Sequence, residues 1–175
     1  MRLMTAALAA CLAFAAGTAD AHGPARQKTD QSVTLDASPA EVWAVVGNFG
    51  DMSWYPGVAS VEATGAEKVA TRLRTMADGA AVKEELTKFD PAKGAISIRF
   101  VEDNLGIVAA TNYAYHITVS DAGGKAKLDW KGAFYRAFPL NDPPADQNDD
   151  AAIAAVTAVH QKGIDALVER FGAVE

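Results

Sequence analysis

The chain has 175 residues, a formal net charge of −6 and a single cysteine, Cys11. That balance, with no clustered Lys and Arg, excludes nucleic acid as a partner. One cysteine excludes an internal disulfide framework, so a packed core has to hold the fold.

The first segment is a leader. Arg2 supplies a positive start, an Ala/Leu run extends through Ala16, and Ala19-Asp20-Ala21 is an A-x-A cleavage signal. The run is too short to span a bilayer, which takes about 20 residues. Cleavage after Ala21 is therefore expected, with secretion and no stable membrane insertion. A lipoprotein box, Leu8 to Cys11, competes with this reading. The apolar run continues past Cys11, however, and too little precedes it to form both regions of a leader. Cleavage would expose His22, whose amine and imidazole together could chelate copper. No partner histidine is identified, and neither metal nor cofactor is expected. About 150 residues remain, enough for one domain with a sizeable core.

Residues 22–30 read as a polar lead and 31–175 as one domain. "QSVTLDA" has the alternation of a strand. "SPAEVWAVVGNFG" follows as a helix: Ser38 is the N-cap, Pro39 takes the first position and Glu41 closes a capping box. Val42, Val45 and Val46 share a face, with Trp43 beside it, and Gly47 or Gly50 ends the helix. "NFGDMSWYPGV" is then a loop or one short helical turn that carries Phe49, Trp54 and Tyr55.

From Val58 the period becomes two. Strands are expected over "VASVEAT", "ATRLRTM", "AVKEELTKFD", "AISIRFVE", "ATNYAYHITVSD" and "AKLDWKGAFYR", joined by "TGAE", "ADGA", "DPAKG" and "DAGG". Links this short make antiparallel hairpins. "EDNLGIV" is a longer bend. The proline-rich "AFPLNDPPADQNDD" stops the pattern, and Asp149 and Asp150 then place negative charge at a helix start. The acidic loop lacks the glycine and terminal glutamate of a calcium loop. In the last segment Val156, Ile164, Leu167, Val168 and Phe171 fall within about 60° of Ile153 on a helical wheel. The fold class is α+β: a curled seven-stranded antiparallel sheet around a long C-terminal helix.

The order and the words "VTLDASPAEVWAVVGNFGDMSWYPGVASVE", "VKEELTKFD", "YAYHITVS" and "LDWKGAFYR" resemble the helix-grip superfamily. It contains START domains, birch-pollen-type allergens and polyketide cyclases, and is also called SRPBCC. The wording, length and leader look most like the MxaD type, a periplasmic protein of methanol-oxidation gene clusters. The resemblance implies a cavity between sheet and helix. For the MxaD type it implies a periplasmic accessory protein that promotes electron transfer from methanol dehydrogenase to its cytochrome c. The alternative it leaves open is a small hydrophobic ligand-binding or cyclase-like protein that uses the cavity.

On the wheel His160 lies in the middle of the apolar stripe and Thr157 about 40° from Ile153, so both are expected to point into the space between helix and sheet as cavity candidates. His160 is either a core histidine satisfied by a carbonyl or tyrosine hydroxyl, or a cavity group that binds or protonates a ligand. Strand alternation sends Tyr113, Tyr115, Leu128, Trp130 and Phe134 inward and His116 outward. Glu84 and Glu85 go to opposite faces, with Arg72, Arg74 or Arg99 available as partners. Trp54 and Tyr55 belong at the rim, as a staple of the first helix onto the sheet or as an exposed anchor for a ligand or partner. No motif assigns a catalytic residue.

Overall fold

The computed structural model describes residues 23–174. The leader, Cys11, the expected cleavage point and His22 lie outside them. The elements are β1 (Gln27–Leu35), α1 (Pro39–Val46), β2 (Val58–Ala63), β3 (Thr71–Met76), β4 (Ala81–Asp90), β5 (Ala95–Phe100), β6 (Ala110–Asp121), β7 (Ala126–Arg136) and α2 (Asp149–Phe171), with a single 3-10 turn at Pro91–Lys93.

The strands form one sheet in the order β1-β7-β6-β5-β4-β3-β2, every pair antiparallel. Short turns account for the run from β2 to β7. β1 sits at the far edge from β2, so α1 and the turns at 47–57 carry the chain across the sheet. α1 packs on β6 and β7, and α2 on β1, β7 and β6. Register shifts at Val58/Ser60, Leu86/Lys88 and Thr111/Ala114 bend the strands, which is how a sheet curls around a helix.

β4, β6 and β7 have the expected bounds. β1 does not: it begins at Gln27, inside the stretch read as a polar lead, and pairs with β7 from Gln27↔Phe134 to Leu35↔Ala126. Pairing decides here, because Lys28 and Asp30 point to solvent while Thr29 is buried. The expected capping box is formed. Ser38 Oγ accepts from Glu41 N at 3.3 Å, and Ser38 N donates to Glu41 Oε2 at 2.9 Å. Val42 and Val46 are buried, and Trp43 stacks on Phe89. The stretch after α1 makes turns and no second short helix. α2 is capped by Asn148, whose side chain accepts from Ala151 N at 2.8 Å, with Asp149 and Asp150 in its first turn.

Past α2 the chain returns to β1. Asp36 N donates to Gly172 O at 3.1 Å, Val174 N donates to Thr34 O at 2.9 Å, and Leu35 and Ala173 form a bridge. The two ends of the domain are thus clasped together.

Candidate binding site in the grip and at its mouth

The space between α2 and the sheet holds most of the residues singled out from the sequence. Tyr113, Tyr115, Trp130, Phe134 and His160 are all buried there. His160 Nε2 lies 2.7 Å from Tyr113 Oη, and its ring stacks on Trp130 at 4.9 Å between centroids. Burial pushes the imidazole down to about 4 and the Tyr113 hydroxyl well up, so both are neutral at ordinary pH. A neutral pair is best satisfied when Tyr113 O–H donates to Nε2, which places the imidazole proton on Nδ1. Nδ1 has no hydrogen-bond partner among the described residues.

Two glycines make this packing possible. A Cβ on Gly132 would meet Thr29 Oγ1 at 2.6 Å and His160 Cε1 at 3.1 Å. One on Gly163 would meet the Trp130 ring at 2.5 Å. At both points helix and sheet are packed so closely that only hydrogen fits.

Beside the aromatic cluster lies a buried ionic one. Glu84 is fully buried, and Arg72 and Arg74 are 3% and 4% exposed. Arg72 Nε donates to Glu84 Oε2 at 2.6 Å, Nη1 to Phe49 O at 2.9 Å and Nη2 to Tyr115 Oη at 2.9 Å. Arg74 donates to Glu84 Oε1 at 3.2 Å through Nη2, and its Nε has no partner. Glu85 points outward and pairs with Arg99, at 3.1 and 2.9 Å.

Together these groups fill the grip. Beside them, between the sheet and the turns after α1, the space left among Met52, Trp54, Arg72, Tyr115 and Trp130 is about 10 Å³, room for one water at most. Of the open spaces elsewhere, two adjoin residues singled out above. One, of about 250 Å³, is at the mouth between α2 and the β3–β4 turn, lined by Tyr55, Arg74, Met76, Ile107, Val159 and Lys162 among others. The second is a groove of about 500 Å³ on the outward face of the sheet, beside Arg26, Lys28, His116 and Lys131. His116 faces outward as expected, held by Ser97 and Thr118 at 2.8 and 3.0 Å.

Two expectations are corrected, and one open alternative is narrowed. The grip is filled rather than hollow, because rings and ion pairs occupy it. Thr157 is only half-buried and lines neither the inner space nor the mouth, since it lies at the margin of the stripe centred on His160. Tyr55 sits at the rim but is 5% exposed, its hydroxyl donating to Val159 O at 2.9 Å. Trp54 is half-buried, edge-on to Tyr55 and tilted against Trp130. Both act as staples rather than as exposed anchors.

Sequence reasoning offers Glu84, Arg72 and Arg74 as ion-pair partners only and misses them as a buried cluster at the site. Their signal was present. Val82, Glu84 and Leu86 share one face of β4, so Glu84 interrupts an apolar stripe. On β3 the two arginines flank Leu73, which is 41% exposed, an inversion of the usual alternation.

Among the described residues no three carboxylate, imidazole or thiol groups converge on a point that could hold a metal. No described helix is long and apolar enough to cross a membrane.

No curated protein matches the chain. Solved structures do. The protein XoxI of Bacillus cereus is 23% identical, with a TM-score of 0.68 over 82% of this chain and 94% of that one. Norcoclaurine synthase of Thalictrum flavum is 14% identical, with a TM-score of 0.59 over 83% and 93%. Major latex-like protein 151 of Panax ginseng is 12% identical, with a TM-score of 0.63 over 83% and 97%. At these identities the likeness is one of fold, the seven-stranded grip around a long helix. Residues 26–172 match the family described as polyketide cyclase / dehydrase and lipid transport, and the chain belongs to that family.

Proposed function

We propose that the protein is a periplasmic accessory protein of methanol oxidation, one that works through its surface and not through a reaction in the grip. Its role is to promote contact or electron transfer between methanol dehydrogenase and its cytochrome c. The observation that carries this is the filled interior. A space of about 10 Å³ cannot enclose a polyketide or lipid, because ligand cavities run to several hundred Å³. Enclosing one would mean expelling Trp130 or separating Arg72 from Glu84. The leader supports export, and the wording of the β1–β2 region supports the MxaD resemblance.

The test is the rate of electron transfer from methanol dehydrogenase to its cytochrome c, with and without the mature protein, across a salt series. A dose-dependent acceleration is expected, weakening as salt screens the acidic surface. An unchanged rate at every ratio would remove the proposal. The cavity alternative predicts instead a hydrophobic molecule that co-purifies in the grip and is visible by native mass spectrometry.

A further inference from the structure

The buried ionic cluster does not balance. Two guanidiniums face one carboxylate, a surplus of one positive charge in a chain whose overall charge is −6. The two arginines are not equivalent. Arg72 directs all three nitrogens to oxygen acceptors at 2.6 to 2.9 Å. Arg74, which has five N–H donors to satisfy, reaches one oxygen at 3.2 Å and the weakly accepting Met76 sulfur at 3.6 Å. Its Nε has no partner although it is buried. Glu84 therefore belongs chiefly to Arg72, and Arg74 holds the surplus.

Arg74 also lines the mouth. Its guanidinium lies 5.9 Å from the Tyr55 ring, and Lys162 Nζ on α2 lies 5.8 Å from that same ring. Two cations thus converge on one aromatic at the rim of a pocket of about 250 Å³. The other walls are Met76, Ala80, Ile107, Ala158 and Val159. Asp78 is the opposing charge on the lip, and its Oδ1 is engaged by Ala80 N at 2.9 Å in the β3–β4 turn.

We propose that the mouth pocket binds a small monocarboxylic acid, its carboxylate between Arg74 and Lys162 and its apolar body against Ile107, Val159 and the Tyr55 ring. A carboxylate would offer the Arg74 guanidinium a charged acceptor better than the Met76 sulfur, and would neutralise the surplus charge, which a neutral molecule cannot do. The volume equals that of about eight waters. That suits an acid the size of benzoate or hexanoate. The site is independent of methanol oxidation.

The test is a titration of the mature protein, followed by amide chemical shifts, with benzoate and hexanoate set against benzamide, hexanol and inorganic phosphate. The two acids are expected to shift residues of the β3–β4 turn and of α2 around Lys162, with a Kd of about 1 mM or tighter. Benzamide and hexanol should bind at least about tenfold more weakly. Lys162→Ala, on the exposed side of α2, should weaken the acids several-fold without disturbing the fold, and Arg74→Gln should abolish their effect. The inference is overturned if the neutral analogues bind as well as the acids, or if Lys162→Ala leaves the acid affinity unchanged. Shifts by phosphate equal to those by benzoate would also overturn it, because the site would then be a bare anion hole.

Discussion

The residue with the clearest pH signature is His160. Its folded-state value, about 4, lies below the ordinary imidazole value of about 6.5, so the unfolded chain takes up the proton first. The stability tied to the neutral ring is complete above pH 6.5 and is lost as pH falls toward 4, by about 3 kcal/mol in all. Urea unfolding of the native chain and of His160→Phe between pH 4 and 7 isolates this, since other titrations cancel in the difference. A constant difference across that range would mean that the ring is not buried as described. The arginines make a second pair of expectations. Arg72→Met leaves Glu84 with only two long contacts, 3.2 Å from Arg74 Nη2 and 3.4 Å from Tyr115 Oη, and should cost about 3–5 kcal/mol, the usual cost of breaking a buried pair. Arg74→Met leaves the Arg72–Glu84 pair intact and removes the surplus charge, so it should cost less than about 1 kcal/mol. Equal losses in the two variants would show that the charge is shared evenly.

At the scale of elements, most of the fold was legible in the sequence. Alternation over most of β4, β6 and β7 and the capping box of α1 are local signals, and tertiary packing agreed with them. The start of β1 was not legible, because its polar residues gain strand structure only by pairing with β7, about a hundred residues away. The packing of α2 was half legible. The apolar stripe placed His160 inward, but a glycine in the middle of a helix carries no sign of what it faces. Gly163 faces the Trp130 ring. Gly163→Ala would gain about 1 kcal/mol of helix propensity if the position were free. Here the added methyl should push α2 off the sheet and cost a net 1–3 kcal/mol, roughly the effect of overpacking a tight core. A melt by circular dichroism that reports a higher Tm would contradict that contact.

For the molecule as a whole, the class of fold was easier to read than the site. The sequence suggested a grip with inward-facing tyrosines and a histidine, and all of them point inward. It did not show whether the grip was hollow. Hollowness depends on whether side chains from four elements meet across the gap, and a one-dimensional pattern does not encode that. The charged cluster was the hardest to anticipate. Its logic lies in a cross-strand pairing, Arg72 opposite Glu84, and in the curl that takes both away from water. The same curl moves the available recognition surface outward, to the mouth and to the outer face of the sheet.

The clasp between β1 and the residues after α2 has a consequence for the order of assembly. β1 is the first strand synthesised, but its partner, β7, and the segment that fastens its end, Gly172–Val174, are made last. A nascent chain can form the β2–β6 meander while its leading strand still dangles. The sheet acquires its second edge only after nearly the whole sequence is available. Closing the β1 edge is thus a late step that waits for α2 and the residues after it, and the leading strand stays unpaired until then.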